Sequence, residues 1–154
     1  MRLGLVLLAV LAVAATARAA GGPSTIRVWS IPTSNRLTDV APKGLSAGDT
    51  VRQRTRLVNA VRQFGKPAGA VVGYDESLIR FTSETRAVVD IVAHFPGGTV
   101  HAHGTVVIGG SPSAIHVLSG TGAFTGVHGT TTEVDDPNAN RALNVYHLTY
   151  GTVT

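Results

Sequence analysis

The chain has 154 residues, no cysteine, 14% charged and 44% hydrophobic residues, and a formal net charge of +4. This length makes one domain with a sizeable core. The lack of cysteine excludes a disulfide scaffold, and so mild a charge with 5% aromatics excludes the dense basic, aromatic-lined face of a nucleic-acid binder.

Residues 1–19 read as a signal peptide. Arg2 gives a positive start, Leu3 to Ala15 an apolar stretch, and Ala17-Arg18-Ala19 the small residues a signal peptidase reads. The stretch is short for a bilayer span. The expectation is cleavage after Ala19, a secreted domain over residues 20–154, and no stable membrane anchor. Losing Arg2 and Arg18, with no acid, lowers the charge from +4 to +2.

Ser24 to Ile31 alternates as a strand, and Pro32 is expected to limit its pairing. Asn35 to Gly48, with Pro42, Gly44 and Gly48, reads as a long loop or irregular edge. Asp49 to Phe64 is ambiguous. Asp49 suits a helix cap before a stripe of Leu57, Val58, Val61 and Phe64, ended by Gly65 and Pro67. The alternation of Val51, Gln53, Thr55 and Leu57 with Arg52, Arg54 and Arg56 suits a strand with one wet face. Local signals lean to the helix.

Gly69 to Tyr74 and Ser77 to Thr82 are short strand candidates, Arg86 to Phe95 a clear strand, and Pro96-Gly97-Gly98 a hairpin turn into Thr99 to Ile108. Ala114 to Leu118, Gly129 to Val134 and Ala142 to Tyr150 follow. Between them, Ser119-Gly120-Thr121-Gly122-Ala123-Phe124 with Gly126 and Gly129 is too rich in glycine for a helix, and reads as a tight corner between strands. Seven or eight evenly spaced strands without helix signals argue for a closed antiparallel barrel, because closure removes exposed edges. The rival is an immunoglobulin-type sandwich, and the glycine corners and missing cysteines count against it.

Several segments together resemble a known family. Gly48-Asp49, Arg56-Leu57-Val58-Asn59, Gln63-Phe64-Gly65-Lys66-Pro67 with Gly69 and Gly73, Pro96-Gly97-Gly98-Thr99 with Gly104, and the Ser119–Gly129 corner follow one another as in the allene oxide cyclase barrel-like superfamily, which includes dirigent proteins. The resemblance spans about Ile26 to Thr154. It implies a single eight-stranded, calycin-like antiparallel barrel, often trimeric, open at one end over an apolar cavity, and it makes Val51 to Leu57 a strand. Dirigent-like sequences tend to carry Arg just before the last glycine of the corner; this chain has His128.

Candidate site residues follow from parity along strands. Asp90 lies mid-strand, either on the wet face or inside the barrel with Val88 and Val92, where burial would raise its pKa and suit it to general acid work. Tyr146 and Tyr150 share a face and are cavity candidates; the plainer reading packs them with hydroxyls at the rim. Tyr74 and His128 join Asp90 as candidate catalytic groups. His101 and His103 share one face near His94, a set of imidazoles suited to a metal, but no carboxylate follows at cupin spacing and an outward polar face explains them better. No metal and no cofactor are expected: Gly120-x-Gly122 with Gly126 lacks the following helix of a dinucleotide site.

The function expected is a secreted barrel holding one small hydrophobic or phenolic molecule, shaping its conformation or coupling. The alternatives are an isomerase or cyclase acting on an oxygenated lipid, and a structural protein with a filled core.

Overall fold

The computed structural model describes residues 22–110 and 114–151. The signal-peptide stretch 1–19 lies outside the described residues. Eight strands follow in order: β1 (Thr25–Thr38), β2 (Thr50–Asn59), β3 (Val71–Ser83), β4 (Arg86–Phe95), β5 (Gly98–Val107), β6 (Ile115–Gly120), β7 (Val127–Asp135) and β8 (Ala142–Tyr150). Each pairs antiparallel with its chain neighbours, and β8 pairs with β1 to close the barrel. This is the all-β, closed eight-stranded architecture the sequence implied, and a single 3₁₀ turn, Gly122–Phe124, is the helical element among the described residues.

Period-two burial dictates the strands. In β4, Ala87, Val89, Ala93 and Phe95 are buried, while Val88, Asp90, Val92 and His94 turn to the outer face. In β2, Thr55, Leu57 and Asn59 are buried and the three arginines between Arg52 and Arg56 are exposed. That pattern overturns the helix that local signals favoured. Asp49 caps no helix; its carboxylate accepts hydrogen bonds from the Val40 and Ser46 backbone N–H groups, both at 2.8 Å, and ties down the β1–β2 loop.

Two further expectations are corrected. β1 does not stop at Ile31 but runs on to Thr38 through a register shift between Pro32 and Ser34. β8 leaves β1 at Ser30, so beyond that point β1 needs partners on one side only, and a residue without an N–H is tolerated there. The two short candidates around Asp75 are one long strand, β3, because both of its neighbours pair with it continuously through Asp75 and Glu76.

The strand directions give the barrel two unlike ends. Loops 60–70, 96–97 and 121–126 gather at one end, and 39–49, 84–85, 108–110 and 136–141 at the other. The 121–126 corner seals the first. Gly122 has φ 59° and a Cβ there would collide with the Gly97 carbonyl, so glycine is required. The Ala123 N–H donates to that same carbonyl at 2.9 Å. The corner thus drives Phe124, fully buried, against Phe95, at 5.8 Å between ring centroids. Phe95 stacks on Phe64 at 5.6 Å and meets Tyr146 edge-on at 5.5 Å.

Candidate functional site

Above this aromatic plug the barrel is hollow. A cavity of about 660 Å³ opens at the end formed by loops 108–110 and 136–141. Tyr146, almost wholly buried, is its floor: it lines the cavity above and touches Phe95 below. The alternative of a filled core is therefore not what the fold builds, and neither is the apolar cavity that the resemblance implied.

The wall is divided. Ile79 and Phe81 of β3, Val89 and Ile91 of β4, Val106 of β5 and Ile115 of β6 make one continuous apolar side. Ser30, Gln53, Thr55, Asp75 and Ser77 from β1 to β3, and Thr131, Glu133 and Asn144 from β7 and β8, make a polar arc. Barrel closure makes that arc continuous, since β8 pairs with β1.

Asp75 sits at the floor of the arc. It pairs in register with Thr55 of β2 and with the small Ala93 of β4, and is 6% exposed. Burial pushes its carboxyl up to about 6, the nearby Thr55 hydroxyl works against the rise, and Glu133 adds to it. Thr55 and Asp75 do not close a well-formed hydrogen bond, so desolvation dominates. Glu133 stands at the mouth and is exposed; partial desolvation beside the barrel wall raises its pKa, the Asn144 side chain opposes the rise, and Asp135 reinforces it. The Tyr146 hydroxyl is pushed well up by burial and by the two carboxylates, so it stays protonated.

Two hydroxyls in the arc, Thr55 Oγ1 and Thr131 Oγ1, are buried without any hydrogen-bond partner. Asn144, by contrast, donates from its side-chain amide to Ser30 Oγ. At the rim Arg141 donates to Asp136 at 2.8 Å and lies over the Trp29 ring at 3.9 Å, fastening the β7–β8 loop to the barrel.

Of the residues singled out from sequence, Tyr146 is the one facing this cavity. Asp90, Val88 and Val92 are on the outer face of β4. There Asp90 bonds to His103 Nδ1 at 2.7 Å and pairs with Arg80, and these partners hold its carboxyl below the usual range, His103 most of all. Tyr74 is also outside, between Arg54, 4.0 Å from its ring centroid, and the His94 ring, 4.3 Å away. His128 is exposed on β7. Tyr150 faces inward but at the sealed end, its hydroxyl donating to the Pro23 carbonyl at 3.3 Å. His94, His101 and His103 occupy outward positions of β4 and β5, and His94 is engaged with Tyr74.

Parity explains the outward placement in β4. Asp90 and Phe95 are of opposite parity, so the phenylalanine that anchors the plug sends Asp90 outward. Asp75 and Glu133 were missed for another reason. Asp-Glu-Ser reads locally as a turn, and only the uninterrupted β3 puts Asp75 on the face of Phe81. Glu133 lies on the same face as Thr131 and Val127, a signal the sequence did contain.

A closed barrel with one sealed end and one open, two-sided cavity is a small-molecule-binding architecture. No protein-family model and no curated protein matches the sequence. Solved structures share the fold. A pyocyanin demethylase superposes with TM-score 0.67 at 19% identity, over 81% of this chain and 99% of its own. The Diels–Alderase AbmU from Streptomyces koyangensis gives 0.60 at 20% identity, over 80% of this chain and 62% of its own. The pterocarpan synthase dirigent protein GePTS1 gives 0.59 at 16% identity, over 80% and 86%. Cyclase and dirigent barrels are thus among the neighbours in fold, as the resemblance in sequence implied; identities this low establish the shared fold alone.

Proposed function

We propose that the barrel binds one small, largely apolar molecule in its open half and directs that molecule's conformation through a cyclisation or coupling step. The observation that carries this reading is the divided cavity of about 660 Å³ with Asp75 buried at its floor. The apolar side holds the body of the ligand in one conformation and excludes water, and orientation of this kind is a large share of many barriers. Asp75, titrating near neutrality, is able to hold or take up a proton at the ligand's polar end, with the Tyr146 hydroxyl as a fixed donor beside it. That two of the barrels sharing the fold are named as a Diels–Alderase and a dirigent protein supports the reading. Export through residues 1–19 and assembly as a homotrimer belong to the same proposal.

Native mass spectrometry of the full chain, recovered from its own producing culture, tests it. A bound small molecule is expected in the wild type and should be absent from Ile91→Trp, which fills the apolar side. Equal, empty spectra from both proteins would sink the proposal.

A further inference from the structure

We propose that the ligand carries a cationic nitrogen at its polar end, a protonated amine, seated between Asp75 and Glu133 with its apolar body against β4 to β6. This rests on the cavity reading given above and narrows it to a substrate class.

The charges facing the cavity set the argument. β3 contributes Asp75, β7 contributes Glu133 and Asp135, and the 136–141 loop contributes Asp136 and Arg141. Strands β1, β2, β4, β5 and β6 contribute no ionisable group, and β8 contributes the tyrosine Tyr146. Arg141 is the one cation lining the cavity among the described residues. It sits at the rim, and its guanidinium is committed to Asp136 and to the face of Trp29. The interior therefore holds one buried carboxylate, Asp75, with the exposed Glu133 above it at the mouth, and no counter-charge.

A buried carboxylate without a cation is unfavourable unless something pairs with it. Within the barrel Asp75 lacks a cationic partner, and the Thr55 and Thr131 hydroxyls are buried with no hydrogen-bond partner. Each of these groups accepts from a ligand N–H. A ligand carboxylate or phosphate meets repulsion from Asp75 and Glu133 and finds no guanidinium or ammonium within the barrel. An ammonium meets the opposite: two carboxylates for its charge and two hydroxyls for its protons. Raised carboxyl pKa values on both acids fit a site that lacks its cation, and binding the cation should release protons.

A matched ligand series decides the matter: 2-naphthylmethylamine, 2-naphthylmethanol and 2-naphthoate, titrated against the full chain by calorimetry. At pH 7.5 the amine is expected to bind about tenfold tighter than the alcohol and about a hundredfold tighter than the carboxylate. The amine's advantage should shrink as pH falls from about 7 to 5, through the titration of Asp75. In Asp75→Asn the amine and alcohol should bind within about twofold of one another. Alcohol or naphthoate binding as tightly as the amine would overturn the cation proposal while leaving the cavity reading standing. If none of the three binds, and Ile91→Trp behaves like the wild type, the cavity reading falls and the cation proposal with it. Should Asp75→Asn fail to fold, the pH series on the wild type still separates these outcomes.

Discussion

The same eight strands build two halves that obey different rules. At the sealed end the inward positions hold Ile26, Val28, Leu57, Val100 and Val127, all at most 2% exposed, around a plug of aromatic rings that includes Phe124. At the open end, two to four residues further along the same strands, inward positions hold Ser30, Thr55, Asp75, Thr131 and Asn144, buried yet polar. The sealed half carries the stability. The open half keeps an orphaned carboxylate and two unpaired hydroxyls that a folded core would ordinarily exclude. Strain of this kind persists where a fold is kept for what it binds, so the contrast between the halves separates stability from function.

The contrast is open to attack at both ends. The largest effect should come from Phe124→Ala, which empties the centre of the plug and should destabilise the protein by about 3–5 kcal/mol in denaturant unfolding. Loss of well under 1 kcal/mol would mean the plug is not the stability core. In the open half the sign should reverse. Asp75 has a folded pKa of about 6, above its ordinary 3.8, so the folded state binds its proton more tightly. Its stabilising contribution is therefore complete below about pH 4 and lost as pH rises through about 6. Asp75→Asn should raise stability at pH 7.5 by up to about 3 kcal/mol and flatten the decline between pH 4 and 6, while weakening ligand binding. A destabilised variant at pH 7.5 would contradict the burial argument.

Thr131→Val removes a buried hydroxyl that has no partner, and thermal unfolding should show a gain of roughly 1 kcal/mol. The smallest effect is expected from Asp90→Asn. Its contacts with Arg80 and His103 lie on the outer surface, so stability should change by less than about 1 kcal/mol and ligand affinity not at all. A large loss of affinity in Asp90→Asn would bring the outer face of β4 into the site.

Much of the wall was legible along the chain. β4, β8 and the Pro96-Gly97-Gly98 hairpin follow from alternation and turn chemistry, and the corner announced itself by its density of glycine, of which the structure shows Gly122 to have no substitute at its φ and its distance from Gly97. The site was harder to see. Asp90 stood out as a lone acid among valines, but parity alone does not say which side is inside. That is fixed by Phe95 joining the plug with Phe64 and Phe124, a contact among three segments distant in the chain. Asp75 hid inside a segment whose local signals describe a turn.

What the sequence determined by itself was the alternation of each strand and the places where the chain must reverse, because both depend on neighbours one to four residues apart. Which face became the interior, how far the plug fills it, and which acids are left facing one another across the space above were decided by closure of the barrel. Closing β8 onto β1 joins polar positions far apart in the chain into one arc, and burial then gives Asp75 a raised pKa that it lacks in an isolated strand.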